Sequence, residues 1–462
     1  MLFSSPVFIL FFLPYFFFHL FLPAKFRLLL IIAGSLIFYG YWNPFYLWLP
    51  LVLICIAYAG ALGMHRAVSE PQKKARFIST LIVLFLPLIF FKYTNFFYNA
   101  WRSAWSMPEE PLMSVTLPLG ISFITFTLVA YLIDVRRQKF QVERRWDELA
   151  GSVLFFPHLI AGPIVRPSQL IPQLCHPRPA MNAKFLRGVF IFSWGLVKKL
   201  VFADTVAAVV NPIFSQTIPV TGTNAALAIY GYAVQIYCDF SGYSDMALGL
   251  ALVLGIRLPI NFDRPYFSKS LAEFWRKWHM TLSFWLRDYL YIPLGGNRGS
   301  SFKKIRNILV TMALGGLWHG ANWTFVIWGI IHGVGIALSH AISFGNSKSK
   351  LSKALGIFFT FHFVALAWVF FRAKNLTVAL QLLCAPFTGT WSDFADVLNH
   401  QIFAISLIGL FFLMHTWDSQ SRLRLLVLKL PKPAILAAIF IFWVLSITLS
   451  AGKSAEFIYF DF

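Results

Sequence analysis

Apolar stretches close to the roughly 20 residues a helix needs to cross a bilayer recur almost from end to end of this 462-residue chain. A soluble domain has no use for such a pattern, whereas a membrane protein has no alternative to it. Open strands leave backbone polar groups unsatisfied in lipid, so the stretches read as helices, about ten to twelve of them. Charged residues are only 12% of the chain, against about 25% in an ordinary soluble domain. The expectation is one all-α membrane domain spanning 1–462.

The first stretch, Val7 to Leu22, has no basic residue before it and no small-residue cleavage site after it, so it reads as an uncleaved anchor. Further spans are expected over Leu28 to Tyr41, Tyr46 to Met64, Phe77 to Phe91 and Leu117 to Ile133. Basic residues gather in alternate connections: Lys25 and Arg27, then Arg66, Lys73, Lys74 and Arg76, then Arg136, Arg137, Lys139, Arg144 and Arg145. The positive-inside rule puts these loops in the cytoplasm and the N-terminus outside. The connectors around Asn43 and from Asn95 to Thr116, the latter with Glu109 and Glu110, then lie outside. A net charge of +21 spread over short loops reflects topology and anionic lipid rather than nucleic acid, with some left to attract an anionic cytoplasmic cosubstrate such as a nucleotide-bearing thioester. Cys55, Cys175, Cys238 and Cys384 are too scattered for a zinc site or a disulfide framework.

Several segments depart from generic membrane helix. Gly151 to Leu174 is apolar but carries Pro157, Gly162, Pro163, Pro167 and Pro172, so it cannot be a straight span. It is either a re-entrant element with His158 and Arg166 near a cavity, or an interfacial loop packed on the helices. Tyr230 to Met246 places Asp239 and Asp245 in an apolar run, where each carboxylate must find a partner, substrate or helix; Gly242 between them allows a kink or a close helix contact. In Leu271 to Tyr291, Trp275, Trp278, Leu282, Trp285 and Tyr289 form an aromatic stripe at helical spacing, with Arg276, Lys277, His279, Thr281 and Ser283 away from it. A helix lying along the cytoplasmic surface is expected, with Glu273 pairing locally to Arg276 and Lys277. The following IPLGGNRG, with Lys303, Lys304 and Arg306 beyond it, reads either as a phosphate-holding turn or as a topology loop.

Met312 to Gly335 carries His319 in mid-apolar sequence, with Gly315, Gly316 and Gly320 clearing space for a substrate or a neighbouring backbone. Intramembrane histidines are functional hypotheses by default, though helix contacts alone account for His332. No metalloprotease motif, serine-hydrolase elbow, metal-ligand cluster, nucleotide-hydrolysis motif or internal repeat occurs. Two classes remain: a transporter whose pathway is lined by Asp239, Asp245, Arg166 and His319, and an acyltransferase in which a histidine near neutrality moves a proton from a hydroxyl to a thiolate.

The run EFWRKWHMTLSFWLRDYLYIPLGGNRG followed by LGGLWHGANWTFVIWG closely resembles the membrane-bound O-acyltransferase family, in its bacterial branch of alginate O-acetylases and peptidoglycan O-acetyltransferases. PLGISFITF, FFPHLIAGPIVRP, YCDFSGYSDMALG and the terminal FIYFDF match the same branch. The resemblance implies a helical bundle, with re-entrant and interfacial helices, enclosing a tunnel in the bacterial inner membrane. It implies no permanently bound cofactor or metal, acetyl-CoA as donor, and a periplasmic partner transferase that places the acetyl group on a polysaccharide. It makes His319 the catalytic base or a transient acyl carrier and His279 the second functional histidine. It assigns donor binding to Arg287, Asp288, Asn297, Arg298 and Trp318. Asp239, Asp245, Arg166 and Tyr459, the last as an acyl acceptor or an interfacial anchor, are further candidates.

Overall fold

The computed structural model describes residues 1–108, 110–174, 183–341, 349–450 and 457–458. Regular structure among them is helical, with one isolated β-bridge, between Asp263 and Ser419. Pro44–His65, Glu70–Ala104, Lys350–Arg372 and Lys432–Ser450 are long and apolar enough to cross a membrane; Phe394–His400 with Ile402–His415, bent by 80°, makes a fifth if it is one broken span. Pro6–Phe21, Trp323–Ser339 and Leu376–Thr388 are shorter apolar helices. The chain is thus an all-α, multi-pass membrane protein. Such helices are fewer than the apolar stretches of the sequence because several stretches are broken or carry charge.

One connector differs from expectation. The helix that begins at Glu70 passes through a wide π-type turn at Ile89–Tyr93 and continues as Thr94–Ala104, so the first part of the expected Asn95 to Thr116 connector is helical. Its Phe97 and Trp101, four residues apart, share one exposed face of the helix.

The chain packs as two compact units, Met1–Gly188 with Ala247–Pro259, and Val189–Met246 with Ile260–Phe462. In the first, the proline-rich stretch is broken as its composition requires, into Trp146–Leu154, Phe156–Leu159 and Pro167–Leu174. His158 is buried there and satisfied by the Ser152 carbonyl, 2.8 Å from its Nε2, while Arg166 is partly exposed.

In the second unit residues 222–246 of the helix Gly222–Val253 meet residues 189–197 of Ala183–Val197 and its π-type continuation Lys198–Ala203. They cross where Gly242 and Gly195 face each other: a Cβ on Gly242 would lie 2.8 Å from the Gly195 carbonyl, and one on Gly195 would lie 2.6 Å from that of Gly242. At 3.6 residues per turn, Asp239 and Asp245 flank Gly242 by about 60° on either side, and Lys198 and Lys199 straddle Gly195 by about 60° on one side and about 40° on the other. The close crossing therefore pairs them. Lys199 bridges Asp239 at 2.7 Å and Asp204 at 2.9 Å, while Lys198 bridges Asp245 and, at 3.3 Å, Asp418. Tyr237 and Trp194 also donate to Asp418, at 2.6 and 2.9 Å, and Gln420 donates to Asp245. The partners of these carboxylates in the structure are lysines of a neighbouring helix. Removing one partner of a buried pair strands the other charge, so Lys198→Ala is expected to destabilise the protein by about 3–5 kcal/mol. Thermal unfolding in detergent measures this, and an unmoved melting curve would show that the pair does not hold the crossing.

Candidate active site

The helix Ser301–His319 ends on the histidine itself, with Gly320 as its C-cap, and the chain returns as Trp323–Ala341. The two helices lie close because glycines meet backbone on both sides: Gly316 faces the Phe325 carbonyl and Gly329 faces that of Met312. Of the glycines beside His319, Gly316 thus makes room for a neighbouring backbone, whereas Gly315 faces the Leu286 side chain and Gly320 the Phe325 ring. His319 is 4% exposed and sits among aromatic rings, with centroids 4.9 Å from Trp318, 5.3 Å from Trp328 and 5.1 Å from Phe371.

His279 arrives by a different route. The expected continuous amphipathic helix over Leu271 to Tyr291 does not form. The segment is split into Leu271–Trp275, Met280–Leu286 and a π-type turn Arg287–Tyr291. The break falls at His279, which takes left-handed φ 42° and ψ 52° at the N-cap of the second piece. A non-glycine residue in that region costs about 1–3 kcal/mol and persists only where its surroundings impose it. They do so here, because the extended Asn261–Asp263 segment lies alongside and forms two backbone hydrogen bonds: Asp263 N–H to the Lys277 carbonyl and Met280 N–H to that of Asn261, each 3.0 Å. His279, placed by sequence on the polar face of a surface helix, is instead fully buried. Its ring lies 4.7 Å from Phe240, 6.2 Å from Trp318 and 6.3 Å from His319, between centroids. The stripe Trp275, Trp278, Leu282, Trp285 and Tyr289 is likewise buried, so it packs as core. Glu273 pairs with Lys277 at 2.7 Å, as its spacing requires. Burial alone would raise the Glu273 carboxyl, but Lys277 and the Lys269 N–H outweigh it and hold the group below the usual carboxylate range.

Two of the expected donor-binding residues share a cavity. A space of about 260 Å³ is lined by Arg287 and Asn297 together with Trp275, Ser283, Leu286 and Met312. Arg287 also pairs with Asp288 at 2.7 Å, and Tyr291 donates to Asn297 at 2.7 Å. Its wall reaches toward the histidines through Trp275, whose ring packs 5.7 Å from Trp328. Trp318 belongs to the histidine cluster, and Arg298 is exposed in the glycine turn, where Gly295, Gly296 and Gly299 adopt positive φ. Asp239 and Asp245 are committed to lysines, Arg166 lies in the first unit, and Tyr459 falls outside the described residues. No group of three or more His, Cys, Asp or Glu that could hold a metal occurs among the described residues.

This arrangement stands in a chain whose residues 36–380 match the sequence model of MBOAT, the membrane-bound O-acyltransferase family. A probable alginate O-acetylase of Azotobacter vinelandii is 41% identical over 416 residues, covering 89% of this chain and 83% of that protein. The chain belongs to the membrane-bound O-acyltransferase family. A peptidoglycan O-acetyltransferase of Helicobacter pylori is 39% identical to this O-acyltransferase, covering 83% of the chain and 79% of the relative. A teichoic acid D-alanyltransferase of Streptococcus thermophilus is 32% identical over 55% of the chain and 68% of the relative.

Sequence reasoning did not single out Asn261, Phe240, Trp328 or Phe371, which surround the two histidines of this acyltransferase. The visible signal was an isolated asparagine in the apolar LPINF run. His332, by contrast, has a structural partner, since Trp275 Nε1 donates to its Nδ1 at 3.3 Å. His332→Ala leaves that buried indole N–H unpaired, at about 1–3 kcal/mol. We expect a lower melting temperature with acyl transfer retained by the folded fraction; thermal unfolding beside a thioester-cleavage assay checks it, and lost activity at unchanged stability would give His332 a chemical role.

Proposed function

We propose that this enzyme takes acetyl from acetyl-CoA at the cytoplasmic face of the bacterial inner membrane and passes it outward for O-acetylation of a cell-surface polysaccharide of the alginate type. A periplasmic partner transferase completes delivery. The reading is carried by the burial of His319 and His279 together among aromatic rings, supported by a cavity with Arg287 at its wall. Acetyl is favoured because relatives named as O-acetylases align over more than four-fifths of the chain, whereas the D-alanyltransferase aligns over about half. The similarity to a peptidoglycan O-acetyltransferase supports peptidoglycan as the second acceptor.

The chemistry is a balanced exchange. An acceptor hydroxyl oxygen attacks the thioester carbonyl carbon, a C–O bond forms and the C–S bond breaks. His319 removes the hydroxyl proton as the bond forms and returns it to the departing thiolate, so CoA leaves as the free thiol. The surrounding rings exclude water, which strengthens the action of the imidazole at the developing charge. Arg287 is a cation suited to the phosphates of the donor, with Asn297 beside it and Asp288 holding the guanidinium.

In proteoliposomes supplied with acetyl-CoA on the cytoplasmic side, wild type is expected to release free thiol and His319→Ala to lose at least about 100-fold in rate while remaining folded. Absence of release from wild type with partner and acceptor present would overturn the acetyl-CoA reading; equal release from both would remove His319 from the chemistry. Arg287→Ala is expected to raise KM for acetyl-CoA with little change in kcat, as loss of uniform binding does. An unchanged KM would exclude Arg287 from the donor site.

A further inference from the structure

Asn261 makes a set of contacts that decides which nitrogen of His279 carries its hydrogen. The Thr281 backbone N–H points at Asn261 Oδ1 from 3.3 Å, and the Thr281 hydroxyl lies 2.9 Å from the same atom. A backbone N–H can only donate, so the amide end that meets it is the oxygen. That oxygen is also 3.2 Å from His279 Nδ1, and since it can only accept, Nδ1 bears the hydrogen. Nε2 of the neutral ring is then a bare lone pair. It is buried and, among the described residues, has no hydrogen-bond partner, in a ring that packs against Trp318 and His319. An unused, desolvated acceptor is a cost the fold would otherwise avoid.

We propose that Asn261 is a positioning residue of the acyl-transfer site: by holding Nδ1–H of His279 it keeps Nε2 as an acceptor that docks the incoming hydroxyl through its single hydrogen, before that hydrogen turns to His319, which removes it. This rests on the acyl-transfer reading above. The centroid separation of 6.3 Å is too long for a direct bond between the imidazoles and suits one oxygen held between them. Among the described residues His279 takes part in no ion pair; Phe240, Asn261, Thr281 and Trp318 around it do not titrate near neutrality, and His319 is the titratable ring in contact with it.

Asn261→Asp and Asn261→Ala separate this role from a scaffolding one. Aspartate keeps the acceptor at Nδ1, and the Ser244 hydroxyl, which lies 3.4 Å from Asn261 Nδ2, can turn to donate to the new oxygen. Its charge favours the imidazolium, which has no acceptor at Nε2. In full-length protein in proteoliposomes with acetyl-CoA, Asn261→Asp is expected to retain activity at alkaline pH and lose it at a higher pH than wild type does on acidification. Asn261→Ala is expected to lose at least about tenfold in kcat with KM for acetyl-CoA unchanged. Nitrogen-15 NMR of the histidine-labelled protein in lipid, with His279 assigned by its absence in His279→Gln, reads the tautomer without any turnover. Protonated Nδ1 in wild type and a mixed state in Asn261→Ala are expected. An Nε2–H tautomer in wild type, or an acid limb unmoved in Asn261→Asp, would overturn the proposal. Should wild type cleave no thioester yet show the Nδ1–H tautomer, dependent on Asn261, acyl transfer fails and the control of His279 by Asn261 stands.

Discussion

The Gly195–Gly242 crossing and the two lysines it brings against their aspartates are what the second unit is organised around. Charges buried among apolar helices are tolerable only in pairs, and a pair fixes the rotation and register of both helices that bear it. The helix so fixed, Gly222–Val253, also carries Phe240 and Ser244, one turn apart on a single face. Phe240 packs against His279, and Ser244 accepts from Asn261. The same ion pairs that hold the helix in place therefore set the position of one wall of the site.

The site itself stores backbone strain at one residue. His279 is left-handed because the Asn261–Asp263 segment hydrogen-bonds on either side of it, and this break turns the imidazole from a surface face into the core. His319 reaches the same place by ending a helix whose approach to its partner depends on Gly316 and Gly329. Two imidazoles from independent elements are thus brought together beside Trp318, Trp328 and Phe371. Relatives of the chain are named for alginate, peptidoglycan and teichoic acid.

Much of the architecture was legible in the sequence because its causes are local. Apolar length dictates membrane helices, and the prolines of Gly151 to Leu174 dictate their interruption. The carboxylates at Asp239 and Asp245 announced partners, and the glycine between them announced a close contact. The Trp275 to Tyr289 stripe was visible, but its surroundings were misjudged. Aromatic residues suit a bilayer interface and a protein core equally, and spacing does not distinguish the two.

The sequence by itself determined that this chain is an all-α membrane protein, that Asp239 and Asp245 need partners, and that His319 stands in an apolar environment. Each follows from the cost of placing a given side chain or backbone group in lipid. Only the tertiary structure decided that Lys198 and Lys199 are those partners, that the helix breaks at His279, and that Asn261 selects its tautomer. These outcomes depend on contacts between segments distant along the chain, such as the pairing of residues 261–263 with 277–280, whose hydrogen bonds outweigh the helical propensity that local sequence expresses.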